Sequence, residues 1–357
     1  MVARPTWTPT DLEFPQLIQR AWNDYGDPRT ISTIQEISAD VSTNRVYLIK
    51  LNTGFEIVAK TSTYGSYVHF RQDHRIIQQW IRRLANSRFR SFLAGMLQKD
   101  HEVFTWREGN IWVVFYEKTQ FYDFLPQRLN PDQVSALGTE MASFHQASAT
   151  VAPLLNTSWK SLGSDIAALY DAIGNQSWRE ERNFSKEAES IVRTQCDTFL
   201  IQAEKLGYHQ LLKLPVLIDW NIGNFSVGLE EQGFKFFSRW DYDWFRVEPR
   251  VLDFHFCARV VRSEGDQAQF SYTVAPYFEE RFIEFLRAYD RVNPLADEEI
   301  LFLKEVYRFF ILNYVLRQGE HFFRPEFCHR LQREALHDYF PALEATDFHQ
   351  LLRAVRK

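Results

Sequence analysis

The chain has 357 residues, 45% hydrophobic and 24% charged, the balance of a folded soluble protein with room for two domains or one two-lobed fold. Its net charge of -5 gives no bulk support to a nucleic-acid role driven by phosphate contacts. The three cysteines, Cys196, Cys257 and Cys328, are scattered and odd in number, which argues against a disulfide framework or a zinc site and for a reducing compartment.

The opening stretch "MVARPTWTPTDLEF" lacks the apolar run of a signal peptide, and the greasiest segment, "FFILNYVL" (Phe309 to Leu316), is too short and polar to span a bilayer. A cytoplasmic protein with no membrane partner is the expectation. After a leading helical segment, the period from Ile31 to about Phe70 is close to two. "ISTIQEIS", "NRVYLIKL" and "FEIVAKTS" read as three short strands, the last two joined by "LNTG". Phe70, His74, Ile77, Trp80, Ile81 and Leu84 then recur at helical spacing. "EVFTWREGN" and "IWVVFYEK" read as a second hairpin, turning at Glu108-Gly109-Asn110.

Beyond Phe121 the pattern becomes helical. "NPDQVSALGTEMASFHQAS" opens with Asn130 as a cap and Pro131 at the first helical position. Segments 160–213 and 267–357 are also mainly helical, and between them lie the β-like runs "LPVLID", "NFSVGL" and "FKFFSRW". A small β-rich lobe therefore precedes a large helical one, joined near "FYEKTQ", with a cleft between them as the natural ligand site.

The stretch "LIDWNIGNF" breaks a strand into a polar knot. Asp219 and Asn224 stand five positions apart on the loop, and "FSRWDYDWF" follows with Asp241 and Asp243. Asp and Asn suit turns, so each residue alone reads as a turn former. Together they supply what phosphoryl transfer needs: a carboxylate to accept a hydroxyl proton and hard oxygen ligands for a metal on the phosphates. Lys60, ending the strand "EIVAK", supplies a cation for those phosphates.

These elements resemble the aminoglycoside phosphotransferase and choline kinase-like family, small-molecule kinases with a protein-kinase-like fold. "LIDWNIGN" stands where the family has its catalytic loop, and "RWDYDW" where it has its metal motif. "EPRVLDFHFCARV", "VAK", "STNRVYLI" and "LGTEMASFHQAS" match further elements in order, over roughly residues 30–320. Three positions depart from the pattern. Leu217 replaces the loop histidine, the first helix offers Asp73 where the family has Glu, and the nucleotide loop "SADVSTN" has no Gly.

The resemblance implies an α+β, bilobal fold, with a nucleotide-binding lobe over residues 1–118 and a mainly helical lobe over 119–357. It makes Asp219 the catalytic base, and it assigns Lys60, Asn44 and Asp73 to the nucleotide, Asp73 as the partner of Lys60. Asn224 and Asp241 become the Mg²⁺ ligands, with Asp243 as the alternative to Asp241. The implied cofactors are Mg²⁺ and ATP, with GTP as the alternative, and the implied partner is a small-molecule hydroxyl acceptor. The adenine is expected near Phe115–Lys118, and Asp253 as a structural residue bonding the catalytic loop's backbone. A pseudokinase, which keeps nucleotide binding without turnover, is the competing reading, and the oligomeric state is open. His145 reads as a satisfied core histidine, Asn221 as loop structure, Glu320 and His321 as a solvated helix end, and Arg333 to Phe340 as surface helix.

Overall fold

The structure, a computed structural model, describes residues 13–38, 44–231, 233–266 and 271–357. Most of the "SADVSTN" loop, residues 39–43, lies outside them. Helix α1 (Glu13–Tyr25) leads into a five-stranded antiparallel sheet of order β1-β2-β3-β7-β6. Its members are β1 (Ile31–Glu36), β2 (Arg45–Leu51), β3 (Glu56–Ser62), β6 (Thr105–Glu108) and β7 (Ile111–Glu117). Helix α2 (Tyr67–Arg83) follows β3, and the two-residue strands β4 (Gln98–Lys99) and β5 (Glu102–Val103) form a minimal hairpin before β6.

Side-chain alternation divides this sheet into two faces. Ile57 and Ala59 join Ile49, Val113 and Phe115 in a core closed by Phe14, Leu17, Ile18 and Trp22 of α1. Val58 and Lys60, alternating with them in sequence, turn to the opposite face with Val46, Leu48 and Tyr116. Lys60 stands opposite Val46 on β2 and Val114 on β7, which sets its depth in the sheet.

Beyond residue 117 the chain is mostly helical. Asn130 caps α3 (Pro131–Val151) in a reciprocal box with Gln133, and Pro131 occupies the first turn, as the sequence predicts. An inserted helical segment follows: α4 (Leu162–Gly174), α5 (Gln176–Glu181) and α6 (Lys186–Lys205). Strands β8 (Lys213–Val216), β9 (Phe225–Glu230), β10 (Gly233–Arg239) and β11 (Arg246–Pro249) form two small two-stranded sheets, β9 with β10 and β8 with β11. Helices α7 (Phe254–Val261), α8 (Glu280–Val292) and α9 (Asp297–Phe310) come next. At Gly138 the α3 backbone runs so close to α8 that a Cβ would lie 2.4 Å from the Phe285 carbonyl oxygen. No helix among the described residues is long and apolar enough to cross a membrane. Cys196, Cys257 and Cys328 are all free and buried.

The connector is stitched to both halves. Glu117 N–H donates to the Gly95 carbonyl at 2.9 Å. Asp123 and Val227 exchange backbone bonds at 3.1 and 2.9 Å, and Ser238 Oγ donates to the Gln120 carbonyl at 2.7 Å.

Candidate active site

A cavity of about 440 Å³ opens between the sheet and the β9–β10 hairpin. Its upper wall is Val46, Leu48, Val58 and Tyr116, its rear is Glu117 to Thr119 with Phe121, and its floor is Gly223, Asn224 and Trp240. Lys60 and Asp241 face each other across its inner end. An apolar slot ending in charge suits a ligand with a flat apolar ring and an anionic tail.

Lys60 Nζ lies 2.7 Å from Asp241 Oδ1 and 2.7 Å from Asp243 Oδ2. Burial favours the neutral amine, but the two carboxylates outweigh it and raise the Lys60 pKa. Burial likewise pushes the Asp241 carboxyl up, yet Lys60 and then Arg239 hold it below the usual range. Asp243 goes the other way, raised by burial and by the charge of Asp241 against the pull of Lys60. Asn44, nearly buried, donates from Nδ2 to Asp243 Oδ2 at 2.7 Å, so this residue of the predicted nucleotide loop also joins the cluster.

The predicted pairing of Lys60 with Asp73 is not what forms. Asp73 Oδ2 receives a bond from Lys160 Nζ at 2.5 Å, and Lys160 also donates to the Phe245 carbonyl at 2.9 Å. Lys60 is already bound to two aspartates from the far lobe, while Asp73, with a side chain shorter than the family's Glu, turns toward the segment that precedes α4. Burial raises its pKa, with Lys160 opposing. Asp243 does not line the cleft with Asp241, and its role here is to hold Lys60 and Asn44.

Asp219 occupies the loop after β8. Its backbone carbonyl accepts from Asn224 Nδ2 at 3.3 Å and from Arg239 Nη2 at 2.7 Å. Arg239 Nη2 also reaches the Asp241 carbonyl at 3.3 Å, so one fully buried guanidinium spans the two acidic positions from below. Asn221 donates to Asp219 Oδ1 from its backbone N–H at 3.2 Å and from its side-chain amide, and Arg259 grips Asn221 Oδ1 in turn. Burial and the charge of Asp241 raise the Asp219 carboxyl to about 6, against the opposing pull of Arg239. A half-buried carboxylate titrating there can take and release a proton near neutral pH.

The loop is held in shape by Asp253. The backbone N–H groups of Leu217 and Ile218 both donate to its Oδ1, at 2.8 and 2.6 Å. Its Oδ2 meets His145 Nε2 at 2.9 Å, and His145 Nδ1 meets the Tyr289 hydroxyl at 2.8 Å. Asp253 and His145 are fully buried, so these bonds replace water that neither can reach. Ile218 (φ 62°) and Asp241 (φ 69°) both adopt the left-handed backbone region, costly for residues with a Cβ and typical of functional sites.

Arg239 and Arg259 are the two site residues that sequence reading misses. Arg239 directly precedes the "WDYD" motif at the end of an apolar strand, and an arginine there is the only signal available. Glu320 is exposed on a short helix (Gly319–Phe322), as expected, whereas His321 is partly buried. Glu320 pairs with Arg182 at 2.8 Å, and the His321 ring packs edge-on to Tyr64 with centroids 5.7 Å apart. The 333–340 stretch is not purely surface, since Ala335, Tyr339 and Phe340 are buried and residues 335–339 form a wide π-type turn.

This arrangement is the fold of the small-molecule kinases, a β-sheet lobe and a helical lobe with an acidic loop between them. The amicoumacin kinase hAmiN, solved with AMP-PNP, Ca²⁺ and Ami, superposes with a TM-score of 0.60 at 16% identity, over 96% of this chain and all of its own. The microcompartment-associated aminopropanol kinase gives 0.59 at 15% identity, over 96% and 98% of the two chains. The GDP complex of wild-type aminoglycoside 2'-phosphotransferase-IIIa gives 0.56 at 12% identity, over 92% and 99%. No family model matches the chain, and no curated protein matches it in sequence. The structural likeness falls on the same group of kinases that the ordered motifs resemble.

Proposed function

We propose that the protein is a phosphotransferase that moves the γ-phosphate of ATP, or of GTP as the alternative, to a hydroxyl of a small molecule. The observation that carries this reading is that Lys60, Asn224 and Asp241 face one apolar cleft while Arg239 ties Asp219 to Asp241 from beneath. Residues 1–118 form the nucleotide-binding lobe in this reading and residues 119–357 the acceptor-binding lobe, in a cytoplasmic enzyme.

The adenine lies against the connector, and Lys60 exchanges Asp241 and Asp243 for the phosphates. The residues present fit Mg²⁺. The Asn224 amide spends its Nδ2 on the Asp219 carbonyl, which leaves Oδ1 as a hard oxygen donor, and the Asp241 carboxyl is held ionised. Two such donors match what Mg²⁺ takes from a protein when phosphate oxygens and water complete its shell. Among the described residues, no group of three or more His, Cys, Asp or Glu side chains is placed to hold a metal. When bound, it would neutralise charge on the phosphates. Asp219, its Oδ1 held by Asn221, orients the acceptor hydroxyl and takes its proton as the oxygen attacks phosphorus. Catalysis then comes from position and charge rather than covalent chemistry.

Mg²⁺-ATP at a hundred times its dissociation constant should add about 2.7 kcal/mol of stability, read as a rise in melting temperature. Asp219→Asn should keep that rise and lower acceptor-dependent ADP release at least about a hundredfold. Lys60→Ala should weaken both. No thermal response to Mg²⁺-ATP or Mg²⁺-GTP sinks the reading, whereas nucleotide binding with no transfer to any hydroxyl compound leaves the pseudokinase.

A further inference from the structure

A second cavity, about 370 Å³, lies on the other side of the Lys60 cluster. Asp243 is one of its walls, and Lys60 joins that wall to Asp241 in the nucleotide cleft, so three side chains partition the two spaces. Its other walls are the β3–α2 turn at Tyr64 to Ser66, the inner face of α2, Lys160 and Asp165 from the inserted segment, Arg246, and residues 317–321.

The lining is charged and well buried. Arg246, 2% exposed, bonds the Tyr314 hydroxyl from Nε at 3.0 Å and Asp165 from Nη2. Arg317 Nη1 lies 2.7 Å from Asp165 Oδ1 and 3.0 Å from Asn313 Oδ1. Lys160 takes Asp73, as described above. Two buried side-chain atoms of the residues lining the cavity find no hydrogen-bond partner: Arg246 Nη1, a donor, and Asp73 Oδ1. Such orphans are uncommon in native interiors and point to a missing partner.

The kind of cation adds a direction. The cavity carries three cations, Lys160, Arg246 and Arg317, and three carboxylates, Asp73, Asp165 and Asp243, the last sharing Lys60 with Asp241. Burial lowers the His74 pKa to about 4 and also lowers that of His321, so neither adds much positive charge at neutral pH. A polycationic ligand finds no surplus of negative charge here. An anionic group would meet two guanidiniums, the side chains best shaped for carboxylate and phosphate.

We propose that this cavity binds a small compound bearing a carboxylate or phosphate beside a hydrogen-bond donor, in chemical class a hydroxy acid or amino acid. The acid group sits at Arg246 and Arg317, and the donor, a hydroxyl or ammonium, faces Asp73. The compound is either the phosphate acceptor itself, which rests on the phosphotransferase reading, or a second ligand, which does not.

The test is calorimetry and thermal shift on the full chain without nucleotide, using inorganic phosphate, glycerate and serine as anionic probes and choline and kanamycin as cationic ones. Glycerate or serine should bind at millimolar concentration and raise the melting temperature, and the cationic probes should not. Arg317→Gln should weaken that binding at least about tenfold, the loss of one charge-assisted bond, while keeping the thermal response to Mg²⁺-ATP. Arg317→Lys, which keeps the charge, should retain part of it. With Mg²⁺-ATP added, ADP release that depends on the bound acid identifies it as acceptor, and binding without release identifies a second ligand. A better response to inorganic phosphate than to either acid assigns the site to the free anion. Binding of choline or kanamycin in preference to the anions, no response to any anion, or undiminished binding by Arg317→Gln overturns the proposal. The binding measurements need no nucleotide, so even a protein blind to Mg²⁺-ATP shows whether the cavity takes an acid.

Discussion

A carboxylate that is to accept a proton near neutrality must first lose some of its hydration, and Asp219 does so between a buried arginine and a neighbouring aspartate. Its pKa of about 6 predicts that kcat/KM rises with pH through that value and then levels, because only the ionised form accepts a proton. A profile flat across that range would remove Asp219 from the role. The same shift has a stability consequence of fixed sign. A raised folded-state pKa means the fold prefers the neutral form, so its stabilising contribution is complete below the ordinary carboxylate value and is lost as pH rises through about 6. Asp219→Asn should therefore melt higher than the wild type at pH 8, with the gap closing toward pH 4, which differential scanning fluorimetry can follow. Lys60, Asp219, Asn224 and Asp241 stood out in the sequence because they lie in or flank apolar strands, where a polar residue needs a reason. Arg239 did not, because an arginine beside a strand end normally reads as a solvated cation. The Asp73 partner failed for a different reason: Lys160 is 87 residues away, and no local pattern announces which distant charge a helix will meet.

The loop after β8 is an element with almost no regular structure of its own, and its rigidity is borrowed. Leu217, in the place of the family's histidine, is fully buried and contributes packing and one N–H; the bracing comes from Asp253, His145 and Arg239. Asp253→Ala would strand two buried backbone N–H groups and a buried histidine, for a loss of about 3 kcal/mol or more measured by urea unfolding. Asp253→Asn keeps one acceptor oxygen and should cost less, yet still depress turnover, because a 1 Å drift of Asp219 is enough to spoil alignment. An Asp253→Ala variant as stable as the wild type would mean that the loop holds itself. Strands and helices with clean periodicity were legible throughout. The inserted and C-terminal helices were legible only as helical, because the order in which they pack is set by contacts between residues far apart in sequence.

Across the whole molecule, two of the polar junctions that tie the sheet half to the helical half stand side by side: Lys60 and Asn44 with Asp241 and Asp243, and Asp73 with Lys160. The first must reopen whenever a nucleotide claims Lys60, whereas the second can persist. Asp73→Asn and Lys160→Met should each destabilise the protein, and their double mutant should show a coupling of about 1–3 kcal/mol in a thermodynamic cycle. Nucleotide affinity should change far less in Asp73→Asn than in Lys60→Ala. Equal losses of affinity in those two variants would show that Asp73 serves Lys60 after all.

The apolar cluster closed by α1 draws all its members from residues 14–115. Helix α1 leaves the ribosome before the sheet it packs on and waits for β7 to cover it, after which that cluster needs nothing further from the chain. The partner of Lys60 just beyond β10, Asp241, comes 181 residues after it. During synthesis, then, Lys60 is set in a finished sheet long before Asp241 and Asp243 arrive to meet it, and in the interval, on the proposed function, a free nucleotide can hold that lysine in their stead.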